Sequence, residues 1–246
     1  MDATTTEDVD RRLDHPAFPQ PDRSDRPVWH YMTLAKFIAL LNTRALFFSR
    51  LDCLEDDYEG ALPRRWRRDQ GTSSQAAEEA RRRKAFCYVN CWNISDHENE
   101  ALWRLYGAQD ASIAIRSSYG ELAEVVRRND DLHLGLISYV DYGDRKNRLM
   151  SDPLAWVMRK RRAFKHEEEV RFVKALGGFF ERCAADVPGP EGLEVEIELD
   201  RLVRGIYIDP YAPEWFEKVV RAVVVRFAPA LSERVTWSSM KADPPP

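Results

Sequence analysis

Between Trp29 and Ser49 the spacing of apolar residues changes period twice, and this fixes the kind of fold the chain can enter. Trp29 to Met32 reads as a short strand. Thr33 then stands where a hydroxyl can accept from a free first-turn N–H, and Leu34, Phe37, Ile38 and Leu41 follow at i, i+3, i+4 and i+7, which predicts a capped amphipathic helix. Ala45 to Ser49 returns to strand. The same alternation runs on. Strands are expected at Ala85 to Trp92, Ser112 to Arg116, Leu134 to Tyr142, Glu167 to Lys174, Leu193 to Leu199, Gly205 to Asp209 and Arg234 to Trp237. Helices fit Glu98 to Tyr106, Tyr119 to Arg128, Pro153 to Phe164 and Pro213 to Phe227, with Pro213 suited to a first turn. Strands and helices interleave irregularly, so a mixed α+β fold is expected rather than a doubly wound sheet. The chain has no internal repeat, no glycine-rich phosphate loop and no Gly-x-Ser-x-Gly elbow.

With 246 residues, 44% of them hydrophobic, the chain can bury a substantial core, and one domain over residues 28–238 is expected. Net charge is only -4 although 32% of residues are charged, so any surface that attracts polyanions must be local. No apolar run approaches the ~20 residues that span a bilayer, and Met1 to Arg26 lacks the apolar middle of a secretion signal, so a cytoplasmic protein with no membrane partner is expected. Residues 1–27 hold four prolines without periodicity and residues 239–246 end in three more, so both ends should be disordered or loosely attached. Cys87 and Cys91 sit in an apolar run without metal-ligand spacing and read as buried thiols.

Candidate chemistry concentrates in His166-Glu167-Glu168-Glu169-Val170-Arg171-Phe172. In a strand, Val170 and Phe172 would turn to a core while Glu167, Glu169 and Arg171 stand in one row on the other side. Neighbouring carboxylates raise one another's proton affinity and the guanidinium opposes that, so the row can hold one acid and one base near neutral pH. Glu194, Glu196 and Glu198 alternate with Val195, Ile197 and Leu199 in the same way, as an ordinary edge strand with a wet face does. His30, between Trp29 and Tyr31, fits either a site or a core histidine bonded to a backbone carbonyl. Asp52, Asp56, Asp57 and Glu59 offer clustered oxygens for a divalent metal in phosphodiester cleavage, or a solvated loop. Arg64, Arg65, Arg67 and Arg68, around Trp66 in an expected helical insert at 62–84, offer phosphate contacts and a stacking ring for RNA or DNA, or a solvated hairpin partnered by Glu78 and Glu79. Trp92, Trp103 and Tyr106 fit a core, or, beside Arg116, the floor of a nucleotide pocket.

Several of these motifs occur in one order. Trp29-His30-Tyr31, Leu46-Phe47-Phe48-Ser49-Arg50, Asp57-Tyr58-Glu59-Gly60, Cys91-Trp92, Ala101-Leu102-Trp103-Arg104-Leu105-Tyr106-Gly107, Ile113-Ala114-Ile115-Arg116, Tyr139-Val140-Asp141-Tyr142 and Phe164-Lys165-His166-Glu167 with Glu169-Val170-Arg171 resemble the bacterial domain-of-unknown-function family 2971. The layout of a His-bearing first strand, a helix, a Phe-Phe-Ser strand and a late Glu-x-Glu strand is similar, more distantly, to ADP-ribosyltransferases. That resemblance implies a mixed, split sheet flanked by helices that clamps NAD, with no metal cofactor. It implies that His30 holds the adenosine ribose, that Glu169 stabilises the nicotinamide ribose as oxocarbenium charge develops, and that Glu167 activates an acceptor. Tyr31 or Tyr106 would stack on nicotinamide, and Ser49, Arg50, Trp92, Arg116 and Arg171 would complete the NAD site. The implied acceptor is a nucleic acid or a protein, in the setting of a toxin or an anti-phage effector. A nuclease built on the acidic loop and the arginine-rich insert, and a non-catalytic module that binds a nucleotide or a protein, are the other readings the residues leave open.

Overall fold

The strand, helix and strand expected between Trp29 and Ser49 are β1 (Pro27–Thr33), α1 (Leu34–Thr43) and β2 (Ala45–Arg50). Thr33 caps α1 by accepting from the Lys36 N–H, and the helix buries Phe37, Leu40 and Leu41. It stops at Arg44, whose left-handed backbone (φ 52) turns its N–H onto the Leu40 carbonyl at 2.9 Å. This computed structural model describes residues 13–56, 58–60, 82–106, 112–144, 154–175 and 189–241.

Further along lie β3 (Cys87–Ile94), α2 (Glu100–Tyr106), β4 (Ser112–Ser118), α3 (Tyr119–Arg127), β5 (Leu132–Leu136), β6 (Ser138–Val140), β7 (Arg159–Arg161), β8 (Glu169–Ala175), β9 (Gly192–Glu196), α4 (Leu199–Leu202), β10 (Gly205–Ile208), α5 (Glu214–Phe227) and β11 (Val235–Trp237). The architecture is mixed α+β, and its strand pairings are mostly antiparallel. The pairings of β10 with β11 and of β6 with β7 are parallel. No helix among the described residues is long and apolar enough to cross a membrane.

The chain divides into two compact units, interleaved in sequence. The first comprises Met1–Asp22, Phe47–Cys91 and Ala123–Glu194. Here β8 pairs with both β3 and β5, Ser49 and Arg50 of β2 face Val89 and Tyr88 of β3, and β6 runs beside β7. Its core includes Phe18, Leu51, Phe86, Val89, Trp156, Met158 and Val173. The second comprises Arg23–Leu46, Trp92–Leu122 and Val195–Pro246. Here β1 lies antiparallel to β4, β4 to β10, and β10 parallel to β11, with α1 packed on β1, β4 and α5. Trp29, Tyr31, Leu102, Trp103 and Ala114 form an apolar cluster of this unit.

Four expectations need correction. The helix expected over Pro153 to Phe164 is instead a strand, β7, and a 3-10 turn over Arg162–Glu167, because pairing with β6 carries Lys160 inward to carboxylates that a helix would not reach. The strand expected over Leu134 to Tyr142 breaks at Ile137, whose N–H turns to the Glu169 carbonyl. The strand expected at Leu193 to Leu199 ends at Glu196, and Leu199 opens α4. The N-terminal stretch is not loose throughout. Phe18 is 1% exposed against β5, Pro19 accepts from the Leu136 N–H at 2.7 Å, and a Cβ at Gly135 would fall 2.7 Å from the Phe18 backbone, so only glycine leaves room for it. The insert at 62–84, with Arg64, Arg65, Arg67 and Arg68, lies outside the described residues up to position 81.

Candidate functional site

Strand β8 carries the chemistry of the first unit. Glu169 and Arg171 stand two residues apart and so share one face. That face is not wet. Arg171 is fully buried, Glu169 is 4% exposed, and Val170 and Phe172 are buried on the opposite side. Glu167 reaches the same place by another route: it closes the 3-10 turn, and Glu168, in the left-handed region at φ 38, swings the chain into β8. The Tyr139 hydroxyl accepts from the Glu169 N–H at 2.8 Å and fixes that swing.

Four side chains close a ring of alternating charge. Arg171 donates from Nε to Glu169 Oε1 at 2.6 Å and from Nη1 to Glu59 Oε2 at 2.9 Å. Lys160 Nζ lies 3.0 Å from Glu59 Oε1 and 3.2 Å from Glu169 Oε2. Glu167 joins from outside the ring, with Oε2 at 2.5 Å from Lys160 Nζ. Arg171 Nη1 also donates to the Val157 carbonyl at 2.8 Å, while its buried Nη2 has no hydrogen-bond partner among the described residues. Charges this deep need partners, because uncompensated burial of an ion costs several kcal/mol, of order the whole stability margin. Glu59 is delivered by Gly60, whose φ of 64 suits glycine and whose Cβ, if present, would lie 2.6 Å from the Trp156 ring.

The cluster drives its two neighbouring carboxyls apart. Burial alone would raise Glu169, but the Arg171 guanidinium and the Lys160 ammonium outweigh it and hold the carboxyl down at about 2. Glu167 is raised, chiefly by burial and further by Glu169 and Glu59, which Lys160 offsets only in part. Lys160 and Arg171 are both held protonated, since the carboxylates beside them overcome the opposite pull of burial. The partly buried Cys91 thiol, beside Glu169, is pushed up by burial and by that negative charge, so it stays a neutral thiol. Cys87 is buried, as expected.

The remaining expected site residues take several environments. Ser49 and Arg50 lie in the first unit, where Arg50 pairs with Asp52 at 2.6 Å and donates to the Gly189 carbonyl. In the second unit His30 lies against Trp92, ring centroids 5.0 Å apart, and Trp92 is 2% exposed. Tyr31 is a core side chain. Its ring meets Trp103 edge-on at 5.0 Å, and its hydroxyl accepts from the Asn99 N–H at 2.9 Å. Arg116 lies over the Trp29 ring at 5.6 Å, and Tyr106 is exposed at the end of α2. The acidic loop does not converge as a metal site would. Asp52 pairs with Arg50, Asp56 with Arg161 at 2.9 Å, and Glu59 with Arg171 and Lys160, while Asp57 lies outside the described residues. Lys160 and Tyr139 are members of the cluster that the sequence reading missed. The signal was the basic run Arg159 to Arg161, in which strand alternation aims the middle cation inward.

No family model matches the chain, and no curated protein matches it. Among solved structures, Thermus sp. 2.9 DarT in complex with ADP-ribosylated ssDNA superposes over 91% of this chain and 97% of that one, with 9% identity and a TM-score of 0.40. At that score the superposition does not establish a shared fold.

Proposed function

We propose that this chain is an NAD-dependent ADP-ribosyltransferase-like enzyme that transfers ADP-ribose to a nucleic acid or protein acceptor, as a toxin or anti-phage effector would. One observation carries the reading: Glu167 and Glu169, two positions apart, are displaced in opposite directions, and such a separation is how a site assigns an acid-base role and a fixed-charge role to like groups. Breaking the nicotinamide glycosidic bond sends the bonding pair to nicotinamide and leaves positive charge on the ribose. Glu169, ionised at every physiological pH, supplies preorganised negative charge for that moment. The acceptor then bonds to the ribose carbon while its proton passes to Glu167, whose raised proton affinity suits a base. The layout of the chain, which resembles that of ADP-ribosyltransferases, supports the same reading.

Glu167→Gln is the informative variant, because the ring of Glu59, Lys160, Glu169 and Arg171 closes without it. Transfer of labelled ADP-ribose from NAD should fall about a hundredfold or more, the usual loss with a general base, with no fall in melting temperature. Glu169→Gln opens the ring, so its activity loss would come with unfolding. NAD should stabilise the wild-type chain by ~2.7 kcal/mol at a hundredfold excess over its dissociation constant. Wild-type turnover in Glu167→Gln, or a melting temperature indifferent to NAD, would overturn the proposal.

A further inference from the structure

Strand β7 alternates two cations. Lys160 turns into the ring, and its neighbour Arg161 turns out, with a side chain 42% exposed. Arg161 is not loose. Asp56, itself largely enclosed, accepts from its Nη2 at 2.9 Å and its Nε at 3.3 Å, which pins the guanidinium plane. That plane lies over the Tyr58 ring at 4.5 Å and over the Phe164 ring at 5.1 Å. Tyr58 is 42% exposed yet held in place: its N–H donates to Asp56 Oδ1, its carbonyl accepts from the Tyr142 hydroxyl, and Tyr142 meets its ring edge-on. A tyrosine and an arginine presented together, each fixed from behind, form a platform for a flat ring.

The platform adjoins the ring of charges through shared groups. Lys160 Nζ lies 4.9 Å from the Phe164 ring on one side and 2.5 Å from Glu167 on the other. The 3-10 turn that supplies Phe164 and Glu167 also exposes Arg162 and Lys165. Flat faces beside exposed cations are what a single nucleic-acid strand requires, since every base has a stackable face and every phosphate a charge.

We propose that Tyr58, Arg161 and Phe164 stack a base of a single-stranded nucleic acid whose phosphates lie along Arg162 and Lys165. The inference names the acceptor class of the reading above and rests on it for its chemistry. The binding itself is measured without NAD and stands or falls separately.

The test is fluorescence polarisation with a labelled oligothymidylate and with a strand of equal length and charge that lacks bases. The wild-type chain should bind the first at least about tenfold more tightly than the second, because stacking contributes ~1–3 kcal/mol per base. Tyr58→Leu, and Arg161→Lys, which keeps the charge but loses the plane, should each weaken oligothymidylate binding about tenfold while leaving the abasic strand and the melting temperature unchanged. Equal affinity for both strands, undetectable binding at low salt, or wild-type affinity in both variants would overturn it. Binding as described in a chain that never turns over NAD would keep this inference and refute the transferase.

Discussion

The two units bury their most constrained side chains by opposite means. In the first, Glu59, Lys160, Glu169 and Arg171 are held by directional charge pairs, and each member answers to two others. In the second, Trp29, Tyr31, Leu102 and Trp103 are held by area and shape, with hydrogen bonds only at the rims of their rings. An apolar cluster gains stability from every square ångström it removes from water. A buried ionic ring gains little net, because desolvation consumes most of its attraction, yet it is unforgiving of any single loss. Burial alone therefore does not tell how a site will respond to change.

That contrast is sharpest where the effects are largest. Arg171→Met should lose ~3–5 kcal/mol in urea unfolding, since Glu59 and Glu169 are left short of a cation. Trp103→Ala, which empties a position 1% exposed, should lose a similar ~3–5 kcal/mol. A second change separates them: adding Glu59→Gln to Arg171→Met should recover stability, with a coupling of ~0.5–3 kcal/mol, because it removes a charge that had become a burden. Additive losses in that double variant would break the comparison.

Acid gives the next test. The Glu169 carboxyl is depressed from 4.5 to about 2, so its contribution is present above the unfolded value and drains away as pH falls from about 4.5 toward 2. Wild-type and Trp103→Ala proteins should lose stability with the same slope over that window, and Arg171→Met should show a flatter one. Glu167 runs the other way. Its raised affinity favours the protonated form in the fold, so stability it contributes at low pH is lost as pH rises through the folded value. Glu167→Gln should therefore gain on the wild type in denaturant midpoint as pH climbs above about 4.5. At the small end, Thr33→Ala should cost ~1 kcal/mol through the lost helix cap. Glu196→Gln, exposed on β9 where Val195 is buried, should stay within ~0.5 kcal/mol.

What was legible in the sequence was local. The Thr33 cap, the burial of Phe37 and Leu41 on α1 and the exposure of Glu194 and Glu196 on β9 follow from spacings of two to four residues, and the structure keeps them. Glu169 and Arg171 were readable as a pair because they are two apart in a strand. Their other partners were not. Glu59 reaches Arg171 across a separation of 112 residues, and Lys160 arrives only because β7 lies parallel to β6, a pairing that left no mark in periodicity and that reads as a helix from Pro153 onward. The burial of Glu167, Glu169 and Arg171 was not legible either, since nothing in alternation distinguishes a wet row from a buried one whose charges are matched from afar. Phe18 was hidden for the same reason: a proline-rich segment looks unattached until Gly135 shows where it lies.

The closed ring has an evolutionary consequence. Each member is bonded to two others, so the first substitution at any of the four positions leaves a buried charge uncompensated, and a lineage must cross that trough before a second change can repair it. Replacing all four by well-packed apolar residues could be as stable, yet no sequence of single steps leads there without a destabilised intermediate. Such a set should drift as a block or not at all, while the Trp29, Tyr31 and Trp103 cluster can exchange one ring at a time for another of similar volume.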